Sequence, residues 1–155
     1  MKKVFFIGLI LISALRVCAQ PSKDEYKTMI DSAISLKYAA FKAAGKNQNN
    51  KYYFENLYLI NEQDQPLNYL SASNKFKFIT VYDERNRKAI AKGIYAWKVL
   101  TTLNQNHLTV IILDLYITYK NHNYNFSNSG GSKTIFEYEC DQNNWKLLSS
   151  ENKGN

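Results

Sequence analysis

Asp114 is the residue whose setting most invites chemistry, because the run 109–119 around it is otherwise free of charge. An acid on a half-buried strand must be paired, neutralised or put to use. If the turn at 104–107 closes a hairpin with Leu103 opposite Leu108, Trp97 faces Asp114 and Tyr95 faces Tyr116. The Trp97 indole N–H could then donate to the carboxylate, with the two phenols nearby as further donors. In an aromatic cleft such a carboxyl could act as a general acid or base. The alternatives are a hydrogen-bonded buried cluster and an acid at a solvated edge.

The other reactive residue types are isolated. His107 falls in a turn and His122 in a loop, with no second His or Cys at metal-ligand spacing, so no metal is assigned. Cys140 lies between Glu139 and Asp141, whose charges disfavour a thiolate, and reads as a small core residue. The stretch Gly130-Gly131-Ser132-Lys133-Thr134 lacks the Gly-Lys step of a phosphate loop and precedes a strand, not a helix. No catalytic residue and no cofactor is assigned.

Two stretches carry the chemistry of contact. Residues 75–98 hold Lys75, Lys77, Arg85, Arg87, Lys88, Lys92 and Lys98 against Asp83 and Glu84, a local charge of +5. Such a segment, with Arg85, Arg87 and Lys88 at its tip, suits an acidic protein surface, an anionic polysaccharide or membrane headgroups. It also reads as a solvated hairpin whose lysines discourage edge pairing. The stretch 120–133 sets Tyr124 and Phe126 among Asn, Ser and Gly and reads as a long loop whose aromatics could meet protein or sugar.

The elements that must position these residues begin after a targeting segment. Lys2 and Lys3 precede the apolar run 4–15, and Val17-Cys18-Ala19 offers small residues to a secretory peptidase, so 1–19 reads as a signal peptide cut after Ala19. Cleavage removes Lys2, Lys3 and Arg16 from the 20 basic residues, leaving 17 against 13 acidic ones and lowering the charge from +7 to +4. It also removes Cys18, so Cys140 is expected as the only mature thiol, with no intramolecular disulfide. The expected location is periplasmic or extracellular. Nucleic acid is not an expected partner of an exported chain of modest charge, and nothing after the signal predicts stable membrane insertion.

Residues 20–155 read as one domain. Of the full 155 residues 45% are apolar, 14% aromatic and 21% charged, which excludes disorder and favours a packed core. Ser22 and Glu25 form a capping box, and Tyr26, Met29, Ile30, Ala33, Ile34, Phe41 and Ala44 recur at helical spacing, predicting a helix over 22–44 ended by Gly45, with a loop at 46–50. Strands are expected within 52–149: at 52–60, 67–71, 75–82, 89–103, 107–120, 133–140 and 145–149. The first of three hairpins should turn within 84–87, setting Asp83 opposite Lys88, Val81 opposite Ile90, Phe78 opposite Gly93 and Phe76 opposite Tyr95. The second turns at 104–107. The third turns at 141–144 and sets Glu139 opposite Lys146.

The predicted fold class is α+β, one N-terminal helix packed on a curved, mostly antiparallel sheet. This element order is similar to that of the cystatin and NTF2-like folds; the Gln-x-Val-x-Gly motif of cystatins is absent, and the likeness stops at element order. In the central strands both faces are apolar, one aliphatic (Ile94, Ala96, Leu100, Ile111, Leu115, Ile117), the other carrying Tyr95, Trp97, Val99, Ile112, Asp114 and Tyr116. A sheet apolar on both faces needs two covers, and the pattern supplies one helix. The helix is expected on the aliphatic face, leaving the aromatic face as a pocket, a partner surface or a core filled by loops. The expectation is therefore an exported, non-enzymatic module that binds a protein partner, as an inhibitor, an immunity factor or part of an envelope assembly. A small-ligand or carbohydrate binder, or a small enzyme, using an aromatic cavity around Asp114 is the alternative.

Overall fold

The computed structural model describes residues 22–44, 56–68 and 76–154. Its elements are helix α1 (Lys23–Ala44), strand β1 (Leu57–Ile60), a 3-10 turn (Glu84–Asn86) leading into one helical turn α2 (Arg87–Ile90), and strands β2 (Ile94–Asn104), β3 (His107–Lys120), β4 (Asn123–Glu139) and β5 (Asn144–Gly154). The strands form one sheet in the order β1-β2-β3-β4-β5, antiparallel except between β1 and β2. The sheet curves into a half-barrel against which α1 packs, the α+β class expected. The expected signal segment 1–19 and the loop 46–50 lie outside the described residues.

The capping box opens α1 as the sequence predicts: the Ser22 amide donates to Glu25 Oε2 at 2.7 Å and the Glu25 amide to Ser22 Oγ at 3.2 Å. Asp24 and Glu25 in the first turn and Lys42 in the last complement the helix dipole. Ile30, Ala33 and Ile34 form the buried stripe, flanked by Tyr26, Met29, Tyr38 and Phe41.

The β2–β3 hairpin has the expected register, Leu103 opposite Leu108, Trp97 opposite Asp114 and Tyr95 opposite Tyr116. Its two-residue turn places Gln105 at a φ of 54°. The next connection departs from expectation: the segment read as a loop over 120–133 is strand β4. Asn121 and His122 both adopt left-handed backbone, with φ of 52° and 62°, and close a tight hairpin with Lys120 opposite Asn123. Asn, Ser and Gly along β4 look loop-like because this half of the strand is largely exposed. A bulge at Ser129 shifts the register, so that Asn128 faces Leu115 and Gly130 faces Asp114. The last hairpin turns one residue earlier than expected, at 140–143, which moves each cross-strand partner by two, with Glu137 opposite Lys146 and Glu139 opposite Asn144. A shift of two preserves each side chain's face, and Lys146 Nζ still reaches Glu139 Oε1 at 3.2 Å. β5 also runs on to Gly154, past the expected end at 149. Cys140, just after β4, is exposed, not the buried core residue expected.

The hairpin expected to turn within 84–87 does not form. Asp83 caps the 3-10 turn by accepting from the Arg85 amide at 2.9 Å, and the chain coils through α2 before β2 begins. β1 takes the place of the expected partner strand, pairing in parallel with β2 from Leu57 opposite Tyr95 to Ile60 opposite Lys98. A parallel pair cannot be joined by a tight turn and needs a long crossover. That crossover supplies the second cover. Ile79, Val81 and Ile90 from it pack with Ile60, Ile94, Ala96, Leu115 and Ile117 in one core. The other core lies between α1 and Leu57, Leu59, Trp97, Val99, Leu108, Val110, Ile112 and Phe136. The assignment of covers is thus the reverse of the one expected: α1 sits on the Trp97 face and the crossover on the aliphatic face.

Candidate functional site

Trp97 is wholly buried beneath α1, with Tyr38, Phe41 and Phe76 around its ring at centroid distances of 6.5, 5.9 and 5.4 Å. Asp114 Oδ2 receives Lys37 Nζ at 2.9 Å, and the same ammonium lies 5.0 Å from the centroid of the Trp97 ring. Lys37 is 4% and Asp114 16% exposed, so this is a core ion pair braced by a cation–π contact, not a surface bridge. The indole does not serve as the carboxylate's donor: Trp97 Nε1 and Asp114 Oδ1 are both buried without a hydrogen-bond partner. The acid that looked reactive is held by a cation on the helix cover.

Lys37 is absent from the candidates read in the sequence, yet it had a signal. It falls on the apolar stripe of α1, four residues after Ala33 and four before Phe41, where a solvated lysine has no place. A lone cation on a helix's apolar face and a lone acid on a strand's apolar face are complementary whenever those faces meet.

Tyr95 and Tyr116, opposite each other on β2 and β3, form a tilted pair with ring centroids 5.0 Å apart. Tyr95 is 40% exposed. Tyr116 lies over Gly93, whose φ is +85° and where a Cβ would stand 1.8 Å from the phenol oxygen, so only glycine fits between crossover and strand. This pair stands apart from Trp97, which the helix encloses.

The remaining candidates come together on the crossover face. Tyr119 and Tyr124 are cross-strand neighbours with ring centroids 4.7 Å apart. Tyr82, from the crossover, meets Tyr124 edge-on at 5.0 Å and Phe126 at 6.5 Å. Arg87 lies 5.5 Å from the centroid of the Tyr119 ring. Tyr82 remains 52% and Phe126 38% exposed, so the aromatic ridge rises out of the core at the border of the crossover. Partial burial, and then the Asp64 carboxylate at 3.4 Å, raise the Tyr82 phenol above its ordinary pKa. Asp64 is itself buried and bound by Lys98 at 2.9 Å.

Arg85, Arg87 and Lys88 flank this ridge on the 3-10 turn and α2. Arg85 Nε donates to both oxygens of Asp83 at 3.0 Å, and these bonds hold the Asp83 carboxyl down to about 2. Arg87 meets Glu84 at 2.9 Å, which leaves Lys88 the exposed cation of the three without a recorded ion pair among the described residues. Tyr124 and Phe126, expected on a loop, are thus strand residues, and the basic segment, expected as a hairpin, is a coiled crossover. Sequence distance hid their meeting, because β4 and the crossover touch only through the fold. Among the described residues no group of three or more His, Cys, Asp or Glu is placed to hold a metal ion.

Beside the ridge the sheet is less fully covered. A hollow of about 300 Å³ lies over Ile111, Leu113, Asn128, Gly131 and Lys133, with Lys153 and Glu151 of β5 at its rim. A second, about 480 Å³, runs between α1 and β5 over Met29, Leu36, Phe136, Trp145 and Leu147. Comparison with protein-family models, with curated proteins and with solved structures gives no match to this chain.

Proposed function

We propose that the chain is an exported, non-enzymatic binding module whose protein partner docks on the ridge of Tyr82, Tyr124 and Phe126, with Arg85, Arg87 and Lys88 beside it. The observation that carries this reading is the ridge itself: half-exposed Tyr82 meets both Tyr124 and half-exposed Phe126, at the border between a core and a cationic turn. Aromatic rings lose little conformational entropy on contact and bury much area, which is why they anchor interfaces. The neighbouring cations add steering towards an acidic surface. Asp114, neutralised by Lys37 under the helix, fits a structural role better than a catalytic one.

The test compares cross-linked capture from the native envelope by the wild-type chain and by a Tyr82→Ser/Phe126→Ser variant. A protein retained by the wild type and lost by the variant is the expected result; identical captured sets overturn the reading. The export component is tested separately by N-terminal sequencing of the protein from the envelope, which should begin at Gln20. An intact Met1 on cytosolic protein overturns it.

A further inference from the structure

On the premise that the ridge is a docking surface, we infer that its partner presents an acidic peptide segment with an apolar anchor, which runs from Phe126 along β4 into the hollow over Gly131. Continuity comes first. Phe126, Asn128, Gly131 and Lys133 follow one another on one face of β4, opposite Ile117, Leu115, Leu113 and Ile111, so ridge and hollow form a single strip. The crossover core reaches Leu115 and Ile117 and has Leu113 packed at its margin; Ile111 lies further along the strip.

The floor of the hollow is kept low by a residue that must be glycine. A Cβ at Gly131 would lie 2.5 Å from the carbonyl oxygen of Ile112, a backbone atom that cannot rotate away. The neighbouring bulge, with the Gly130 amide held by Asn128 Oδ1 at 2.9 Å, leaves exposed backbone and the flanks of Ile111 and Leu113 as an apolar seat. One apolar side chain fits there.

Charge selects the rest of the partner. Lys133 and Lys153 stand at the rim, and among the described residues neither has an ion-pair partner, whereas the acids beside the ridge, Asp83 and Glu84, are already bound by Arg85 and Arg87. Glu151 is the single acid lining the hollow. Lys133 has Glu151 directly across the ladder while Lys153 stands opposite Gly131, so the strip keeps a net positive charge at the hollow and at Lys88, and an acidic segment is its complement.

A phage-displayed library of random heptapeptides, panned on the folded chain, tests this. The expected result is enrichment of peptides with Asp or Glu flanking a central Phe, Leu or Trp. Their affinity should fall at least tenfold with Lys133→Gln/Lys153→Gln, exposed substitutions that set no like charge opposite Glu151 and leave the thermal midpoint unchanged, and with Asn128→Trp, which fills the hollow. Enrichment of neutral or basic peptides, or of none, overturns the inference. So does enrichment of acidic peptides that bind the lysine variant unchanged. If those peptides are lost only from Tyr82→Ser/Phe126→Ser, the ridge reading stands while its extension into the hollow fails. Envelope capture that no longer depends on the ridge would remove the reading itself.

Discussion

The two faces of this sheet are closed by covers of different kinds. Helix α1 satisfies its own backbone and can lie flat over Trp97, Val99 and Ile112 with a charge pair sealed beneath it. The crossover cannot. Its backbone relies on bonds outward to the β1 region, Lys77 N to Leu57 O at 2.8 Å and Val81 N to Asp64 O at 3.1 Å, and on the Asn86 amide reaching Thr80 O at 2.9 Å. It covers part of its face and ends at a border where rings stand half in water. A well-closed face specifies the fold; an incompletely closed one is free to meet something else.

The contrast breaks most readily at Trp97. Trp97→Ala should cost about 3–5 kcal/mol in urea denaturation, as expected for emptying a buried indole site. A loss under about 1 kcal/mol would show that the helix cover is loosely seated. Lys37→Met should cost about 3 kcal/mol, because it leaves Asp114 charged in the core, while Lys37→Met/Asp114→Leu should regain most of that loss. Equal stability of single and double variants would remove the buried pair as the link between cover and sheet. Gly131→Ala should cost about 1–3 kcal/mol through its collision with the Ile112 carbonyl, measured in the same way; a neutral result would mean the strand can shift there.

On the other face the expected effects are small. Tyr82→Ser/Phe126→Ser should change stability by less than about 1 kcal/mol, since both rings are half exposed. A larger loss would make the ridge part of the core. Smallest is the effect of Asp83, whose carboxyl is lowered from 3.8 to about 2 by its hydrogen bonds to Arg85. Because the folded state depresses this pKa, its contribution is present above about pH 4 and fades as the pH falls towards 2. Carboxyl NMR should place its midpoint near 2 and return it to the ordinary range in Arg85→Ala; an unchanged midpoint would mean the turn alone holds it.

Much of the meander is legible in sequence. The β2–β3 register follows from two apolar strands of matching alternation around a short turn, and Leu103 opposite Leu108 sets every later pair. The capping box at Ser22 and Glu25 is equally local. What sequence pattern leaves open is which cover meets which face, because both faces are apolar and alternation carries no address. The run Glu84-Arg85-Asn86-Arg87 has the composition of a hairpin turn, yet the parallel seat of β1 on β2, a long-range choice, makes it part of a crossover. Asn121-His122 hid a tight turn because His is not the usual partner of Asn in one. The candidate site suffered most: Arg87 and Tyr124 belong to one surface only after β4 and the crossover have docked.

The parallel pairing of β1 also governs how the molecule comes apart. Three hairpins tie β2 to β5 through neighbours in the chain, whereas β1 has four residues of ladder and a distant link to hold it. Hydrogen exchange should therefore find β1 and the segment after it opening together at lower free energy than the meander. Each such excursion bares Ile94, Ala96, Leu115 and Ile117, a sticky aliphatic wall that invites self-association before global unfolding begins.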